Sequence, residues 1–158
     1  MRDHLFWLLT RVLAVLLLPV TRSRHLACQW ALAARFPAEN LAGLTPATRA
    51  AFTAARTEAL WRDGVVIGLT SGYRDAGLQQ RLFAADGGKR TLPPAESKHV
   101  AGTALDVRPT EGARWLERHG ARFCLYRVYD NEWWHFEYRP EGRPPRLPHP
   151  GASIATTA

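Results

Sequence analysis

The sequence predicts an α+β domain: a small, mainly antiparallel sheet packed with helices, preceded by an N-terminal hydrophobic helix. Three observations predict it. Helix caps and helical apolar spacing dominate the chain up to residue 64. Short β-rich runs bounded by turn residues dominate after it. With 158 residues, 46% apolar and 22% charged, the chain suits a single core.

Residues 5–20, LFWLLTRVLAVLLLPV, are apolar except for Thr10 and Arg11. That run falls short of the ~20 residues of a spanning helix. Residues 12–20 have the length of a signal-peptide core behind a basic start. No small-x-small cleavage site follows, and Arg22 and Arg24 sit where the positive-inside rule disfavours them. His25-Leu26-Ala27-Cys28 is a faint lipoprotein box, with His25 where an aliphatic residue belongs. Residues 1–24 are expected to be a signal or membrane-anchor segment, with a buried helix of the fold as the alternative. Residues 25–140 would form the domain, and 141–158 an irregular tail rich in proline and arginine.

A second helix is predicted over about 26–36, ending before Pro37. Thr45-Pro46 is an N-cap with proline at the first helical position, and the helix it opens runs to Asp63 and stops at Gly64. Phe52, Ala55 and Ala59 would face the core. Residues 65–70, VVIGLT, read as an interior strand and Ser71-Gly72-Tyr73-Arg74 as the turn after it. Asp75 can cap a third helix carrying Leu78, Leu82 and Phe83, closed by Gly87-Gly88. Residues 87–97 form a polar rim loop. A strand over 103–107 precedes a short helix capped by Thr110, carrying Trp115 and Leu116 and ending at Gly120. Two strands, about 122–128 and 133–138, follow around the turn Asp130-Asn131.

The 21 basic and 14 acidic side chains leave +7, which suits acidic lipid, an acidic wall polymer or nucleic acid. No nucleic-acid motif appears and the aromatics do not interleave with a basic stripe, so nucleic acid is not the expected partner. Cys28 and Cys124 are too few for a disulfide framework and lack zinc-ribbon spacing. They read as small buried hydrophobes, with one bridge conceivable after export.

Three segments carry chemistry. In Ser97-Lys98-His99-Val100-Ala101-Gly102-Thr103-Ala104-Leu105-Asp106, His99 and Asp106 are seven apart. On a straight strand they would face opposite sides. Gly102 and the β-favouring run after it oppose a helix, so a bend at Gly102 is the solution that brings both side chains to one point. Both are good zinc ligands. In Asn131-Glu132-Trp133-Trp134-His135, His135 can supply a third ligand, and Glu132 stands close enough to take a proton from zinc-bound water. The flanking tryptophans would exclude bulk water. In Ser71-Gly72-Tyr73-Arg74 with Gln79 beyond, the Arg74 guanidinium could stabilise an oxyanion or grip a substrate carboxylate. His4, His25, His119 and His149 have no such spacing around them and read as surface or structural residues.

Taken in order, SGYR…Q, SxHxxGxAxD and ExWH resemble the D-alanyl-D-alanine carboxypeptidase group of zinc peptidases. The resemblance spans residues 44–138, including GARFCLY at 120–126 and the WLERH before it. It implies the hedgehog/D,D-peptidase fold, zinc held by His99, Asp106 and His135, Glu132 as general base, Arg74 on the oxyanion or substrate carboxylate, and Gln79 and Ser97 along the cleft. Lys98 departs from a frequent glutamate and Trp133 from a frequent proline. The implied partner is the peptidoglycan stem peptide, cut by a monomeric carboxypeptidase of D,D or L,D type in the bacterial cell envelope, periplasmic or membrane-anchored. An endolysin-type endopeptidase is the alternative within the same chemistry. A non-catalytic wall-binding protein with a structural metal is the alternative outside it.

Overall fold

The computed structural model describes the backbone of residues 2–152 and the side chains of residues 7–152. The histidine at position 4 falls outside the described side chains. The described residues form five helices and one four-stranded sheet: α1 (Arg2–Thr21), α2 (Arg24–Arg35), α3 (Pro46–Glu58), β1 (Gly68–Ser71), α4 (Ala76–Asp86), β2 (Ala104–Arg108), α5 (Thr110–His119), β3 (Leu125–Arg127) and β4 (His135–Tyr138). The strand order is β1-β2-β4-β3, antiparallel throughout. The α+β class read from the sequence therefore holds.

The helix ends follow their caps. Thr45 accepts from the Thr48 amide at 3.2 Å, and Asp75 from that of Leu78 at 2.9 Å. Past α3 the chain widens into a π-turn over Ala59–Asp63 and leaves through Gly64 at φ 69°. Thr110 is not the cap it was expected to be; it lies inside α5, after Pro109.

The strands are shorter than the sequence predicts. Val65, Val66 and Ile67 precede β1 instead of extending it; Val66 packs beneath α1 and α2 and Ile67 beneath α3 and α5. Residues Gly120–Phe123 form a 3-10 turn closed by Cys124 at φ 56°, so the strand expected from residue 122 starts at Leu125.

One face of the sheet is core. Leu69, Leu105, Val107, Leu125 and Phe136 pack there against Phe52 and Ala55 of α3 and Trp115 and Leu116 of α5. A second cluster joins Ala14 of α1 to Cys28, Ala31 and Leu32 of α2 and to Leu60. Helix α1 is thus packed onto the domain along one face. Among the described residues, no helix is long and apolar enough to cross a membrane. Cys28 is fully buried and Cys124 is half-buried; both are free thiols.

Residues 141–152 of the tail form no helix or strand and are pinned. Leu147 bridges to Tyr129, and Arg146 pairs with Asp130 at 2.7 Å and Glu117 at 3.0 Å.

Candidate metal centre

The polar face of the sheet builds the site. Asp106 on β2 stands directly opposite His135 on β4, and Ala104 opposite Glu137. Side chains paired across antiparallel strands share a face, as do residues two apart on one strand. Asp106, His135 and Glu137 therefore emerge together, with Leu105 and Phe136 turned to the core. At the edge, the register slips between Leu69 and Ser71. That bulge puts Leu69 opposite Val107 in the core and Ser71 opposite Asp106 at the site.

His99 comes from the turn before β2. Gly102 has φ 70°, and a Cβ there would lie 2.4 Å from the Gly43 carbonyl oxygen, so only glycine makes this bend. The bend anticipated from the seven-residue spacing is present. His99 Nε2 lies 3.3 Å and His135 Nδ1 3.0 Å from the same oxygen, Asp106 Oδ1. All three residues are buried, and their ligand atoms lie within 4.8 Å of one another.

The outer ring nitrogens fix which atoms face inward. His99 Nδ1 meets the Gly72 carbonyl at 2.6 Å. A carbonyl only accepts, so Nδ1 carries the proton and Nε2 offers its lone pair. His135 Nε2 donates toward Glu137 Oε1 at 3.4 Å, and Arg139 holds the other Glu137 oxygen at 2.7 Å through Nε. A carboxylate so held keeps the proton on Nε2 and leaves Nδ1 to a metal. The field agrees. Burial would lower His135, but hydrogen bonds and charge from Asp106 and Glu137 push it up to about 9. Burial likewise opposes ionisation of Asp106, yet the facing His135 and His99 rings hold it well below the usual carboxylate range. The donor set of two imidazoles and one carboxylate, with protons directed outward, fits a catalytic divalent metal of the zinc type.

The other expected residues lie around this centre. Glu132 Oε2 is 3.8 Å from His135 Nδ1, outside hydrogen-bonding distance, and burial raises its pKa. Arg74 donates from Nη2 to Asp106 Oδ2 at 2.6 Å and from Nε to Ser71 Oγ at 3.0 Å. Its Nη1 makes no bond among the described residues. Ser97 and Gln79 are buried and line the cleft; Gln79 Nε2 holds the Leu92 carbonyl of the rim loop at 2.8 Å, while its Oε1 has no partner among the described residues. His25 meets Thr57 and His119 packs on Trp115, both away from the centre. His149 borders a separate hollow on the tail side.

Several participants escaped the sequence reading. Glu137 is one, although its two-residue offset from His135 on a strand was a usable signal. Tyr129 packs its ring 5.1 Å from that of His135, the role expected of the tryptophans. Trp134 does line the cleft, whereas Trp133 is 38% exposed and is not among its lining residues. Arg90 and Lys98 add two cations to a cleft of about 210 Å³, and neither is ion-paired among the described residues.

No protein-family model matches this chain, and no curated protein does. Solved structures do. The chain is similar to VanYB in complex with D-alanine-D-alanine at 22% identity and a TM-score of 0.54, covering 60% of this chain and 71% of that one. It is similar to the LdcB LD-carboxypeptidase at 17% identity and a TM-score of 0.53, covering 60% of this chain and 58% of that one. The chain shares its fold with these two proteins.

Proposed function

We propose that this chain is a zinc peptidase of the bacterial cell envelope that removes a terminal D-amino acid from the peptidoglycan stem peptide. The observation that carries the proposal is the convergence of His99 Nε2, Asp106 Oδ1 and His135 Nδ1 beside a carboxylate, Glu132, held just outside hydrogen-bonding distance. The shared fold supports the substrate class: one similar structure holds D-alanine-D-alanine, and the other is of an LD-carboxypeptidase that recognises peptidoglycan.

His99, Asp106 and His135 would hold the ion. Bound there, zinc would supply Lewis-acid chemistry, polarising a carbonyl and acidifying water. Glu132, kept basic by burial, takes a proton from the attacking water and returns it to the departing amine. Arg74 fixes Asp106 through Nη2, and its uncommitted Nη1 steadies negative charge on the carbonyl oxygen. Gln79 and Ser97 line the path of the peptide.

Arg90 and Lys98 favour a carboxypeptidase over an endolysin-type endopeptidase. Two unpaired cations in the cleft suit a free terminal carboxylate, which an endopeptidase substrate lacks at that point.

A stem-peptide digest read by mass, with zinc content measured in parallel, tests the reading. Loss of a single alanine is expected, and Glu132→Ala should slow it by about two to four orders of magnitude with zinc retained. Undiminished cleavage by a zinc-loaded Glu132→Ala variant overturns the mechanism. Separation of longer peptides moves the assignment to the endopeptidase. Zinc binding with no cleavage leaves a structural metal in a wall-binding protein.

A further inference from the structure

Helix α1 has two apolar faces, and the fold uses one. Ala14 is fully buried and Trp7, Leu13 and Leu17 pack around it in the second core cluster. The opposite face carries Leu8, Leu9, Val12, Val15, Leu16 and Val20, between 44% and 72% exposed. At 3.6 residues per turn these six side chains fall within an arc of roughly 140°. Helix α2 adds Leu26 and Trp30, one turn apart and about half exposed. Elsewhere, the exposed large hydrophobics among the described residues are Tyr73, Leu78, Leu82 and Trp133, with no such continuous stripe. A continuous exposed apolar stripe marks a surface that meets something apolar; scattered residues do not.

Charge identifies the occupant. From residue 7 to residue 35 the chain has four arginines, at 11, 22, 24 and 35, and no aspartate or glutamate. Arg11, Arg22 and Arg24 are exposed, Arg11 and Arg24 reaching Trp61 at the edge of the hairpin. A second copy seated on this face would bring two like-charged sets together. An acidic lipid headgroup layer would pair with one set while its acyl region received the aliphatic side chains.

Length and attachment set the orientation. The stripe from Leu8 to Val20 is about 20 Å long at 1.5 Å per residue, against a hydrocarbon core of about 30 Å. Arg11 Nη2 donates to the Trp61 carbonyl at 3.1 Å, tying the helix to the body of the domain. Standing upright in a bilayer would pull Ala14, Leu13 and Leu17 off the core.

We propose that the α1–α2 hairpin seats this domain on an anionic lipid surface, with α1 lying in the plane of the interface and its outer stripe in the headgroup–acyl boundary. The inference rests on this surface alone and holds or fails independently of the peptidase chemistry.

The test is sedimentation of the full chain with vesicles of phosphatidylglycerol and phosphatidylcholine, against pure phosphatidylcholine. The wild type should pellet with the acidic vesicles and partition at least tenfold more weakly onto the neutral ones. Val12→Glu with Leu16→Glu should cut partitioning at least tenfold without moving the circular-dichroism melt. Leu16→Ser with Val20→Ser, at the two most exposed positions, repeats the test with a milder change. Arg22→Gln with Arg24→Gln should narrow the preference for acidic vesicles and its loss with added salt. Wild type left in the supernatant, or stripe variants that pellet like wild type, would overturn the proposal. So would light scattering that shows a dimer split by the stripe substitutions, which assigns the face to a second copy.

Discussion

Arg56 and Arg74 each hold a carboxylate across the fold, and the two arrangements end differently. Arg56 Nη1 binds Glu39 Oε2 at 2.7 Å, its Nε binds Gln29 Oε1 at 2.5 Å, and its guanidinium lies over the Phe52 ring. The second Glu39 oxygen accepts the Leu69 amide of edge strand β1 at 2.5 Å. Arg74 binds only one oxygen of Asp106; the other faces His99 and His135. The first cluster is closed and ties α2, α3 and β1 together. The second is open, with lone pairs converging on one point beside a solvent-reached cleft. Burial and ion pairing are common to both, so neither marks a functional site by itself. The unsatisfied valence does.

Breaking the closed cluster should be the most damaging to the fold. Arg56→Ala leaves Glu39 charged and buried, and denaturant unfolding should show a loss of about 3–5 kcal/mol. Arg56→Met with Glu39→Gln, which removes both charges and keeps an acceptor for the Leu69 amide, should recover most of that loss. Failure to recover would mean that the ionic character itself is required there.

Arg74→Gln should separate the two arrangements further. Its side chain is 21% exposed and Asp106 keeps the two facing imidazoles, so the stability cost should fall below that at Arg56. Cleavage should fall much more than stability, because Asp106 loses its anchor and Nη1 is gone. A melt as damaged as that of Arg56→Ala would show that the two pairs are equivalent.

Glu137→Gln tests how far the open site depends on its surroundings. The amide can present its nitrogen to His135 Nε2 and so stop fixing the inward lone pair. Zinc affinity, measured by competition with a chelator, should drop about 10- to 100-fold with the unfolding midpoint little changed. Unaltered affinity would remove Glu137 from the site.

The sequence made parts of this comparison legible. Thr45-Pro46, Asp75 and Gly64 announced the helix boundaries because capping is local chemistry. The His99–Asp106 spacing demanded a bend that Gly102 supplies. What was hidden is what depends on pairing between distant segments. The slip that turns Ser71 to the site, the Arg56–Glu39 tie and the Tyr129 ring beside His135 join residues whose neighbourhoods are set only by the assembled sheet. The strands start late, at Leu125 and Gly68, for the same reason: the residues before them pack or turn without finding a ladder partner.

A smaller closed contact lies at the end of the π-turn that follows α3. Asp63 accepts a hydrogen bond from Trp115 Nε1 at 2.7 Å and pairs with Arg62 at 2.9 Å, and these bonds, with Arg62 the larger influence, lower its pKa to about 2. The unfolded chain should titrate it near ~3.9. A depressed folded pKa means a stabilisation fully present above the unfolded value and lost as pH falls through the folded one. Asp63→Asn should therefore lower the melting temperature at neutral pH by about 2–4 °C, the effect of one hydrogen bond of about 1 kcal/mol in a chain of this size. Between pH 4 and pH 2 the wild type and the variant should converge, since acid removes from the first what substitution has already removed from the second. A gap between the two melts that persists at pH 2 would place the contribution of Asp63 in packing against Trp115 rather than in its charge.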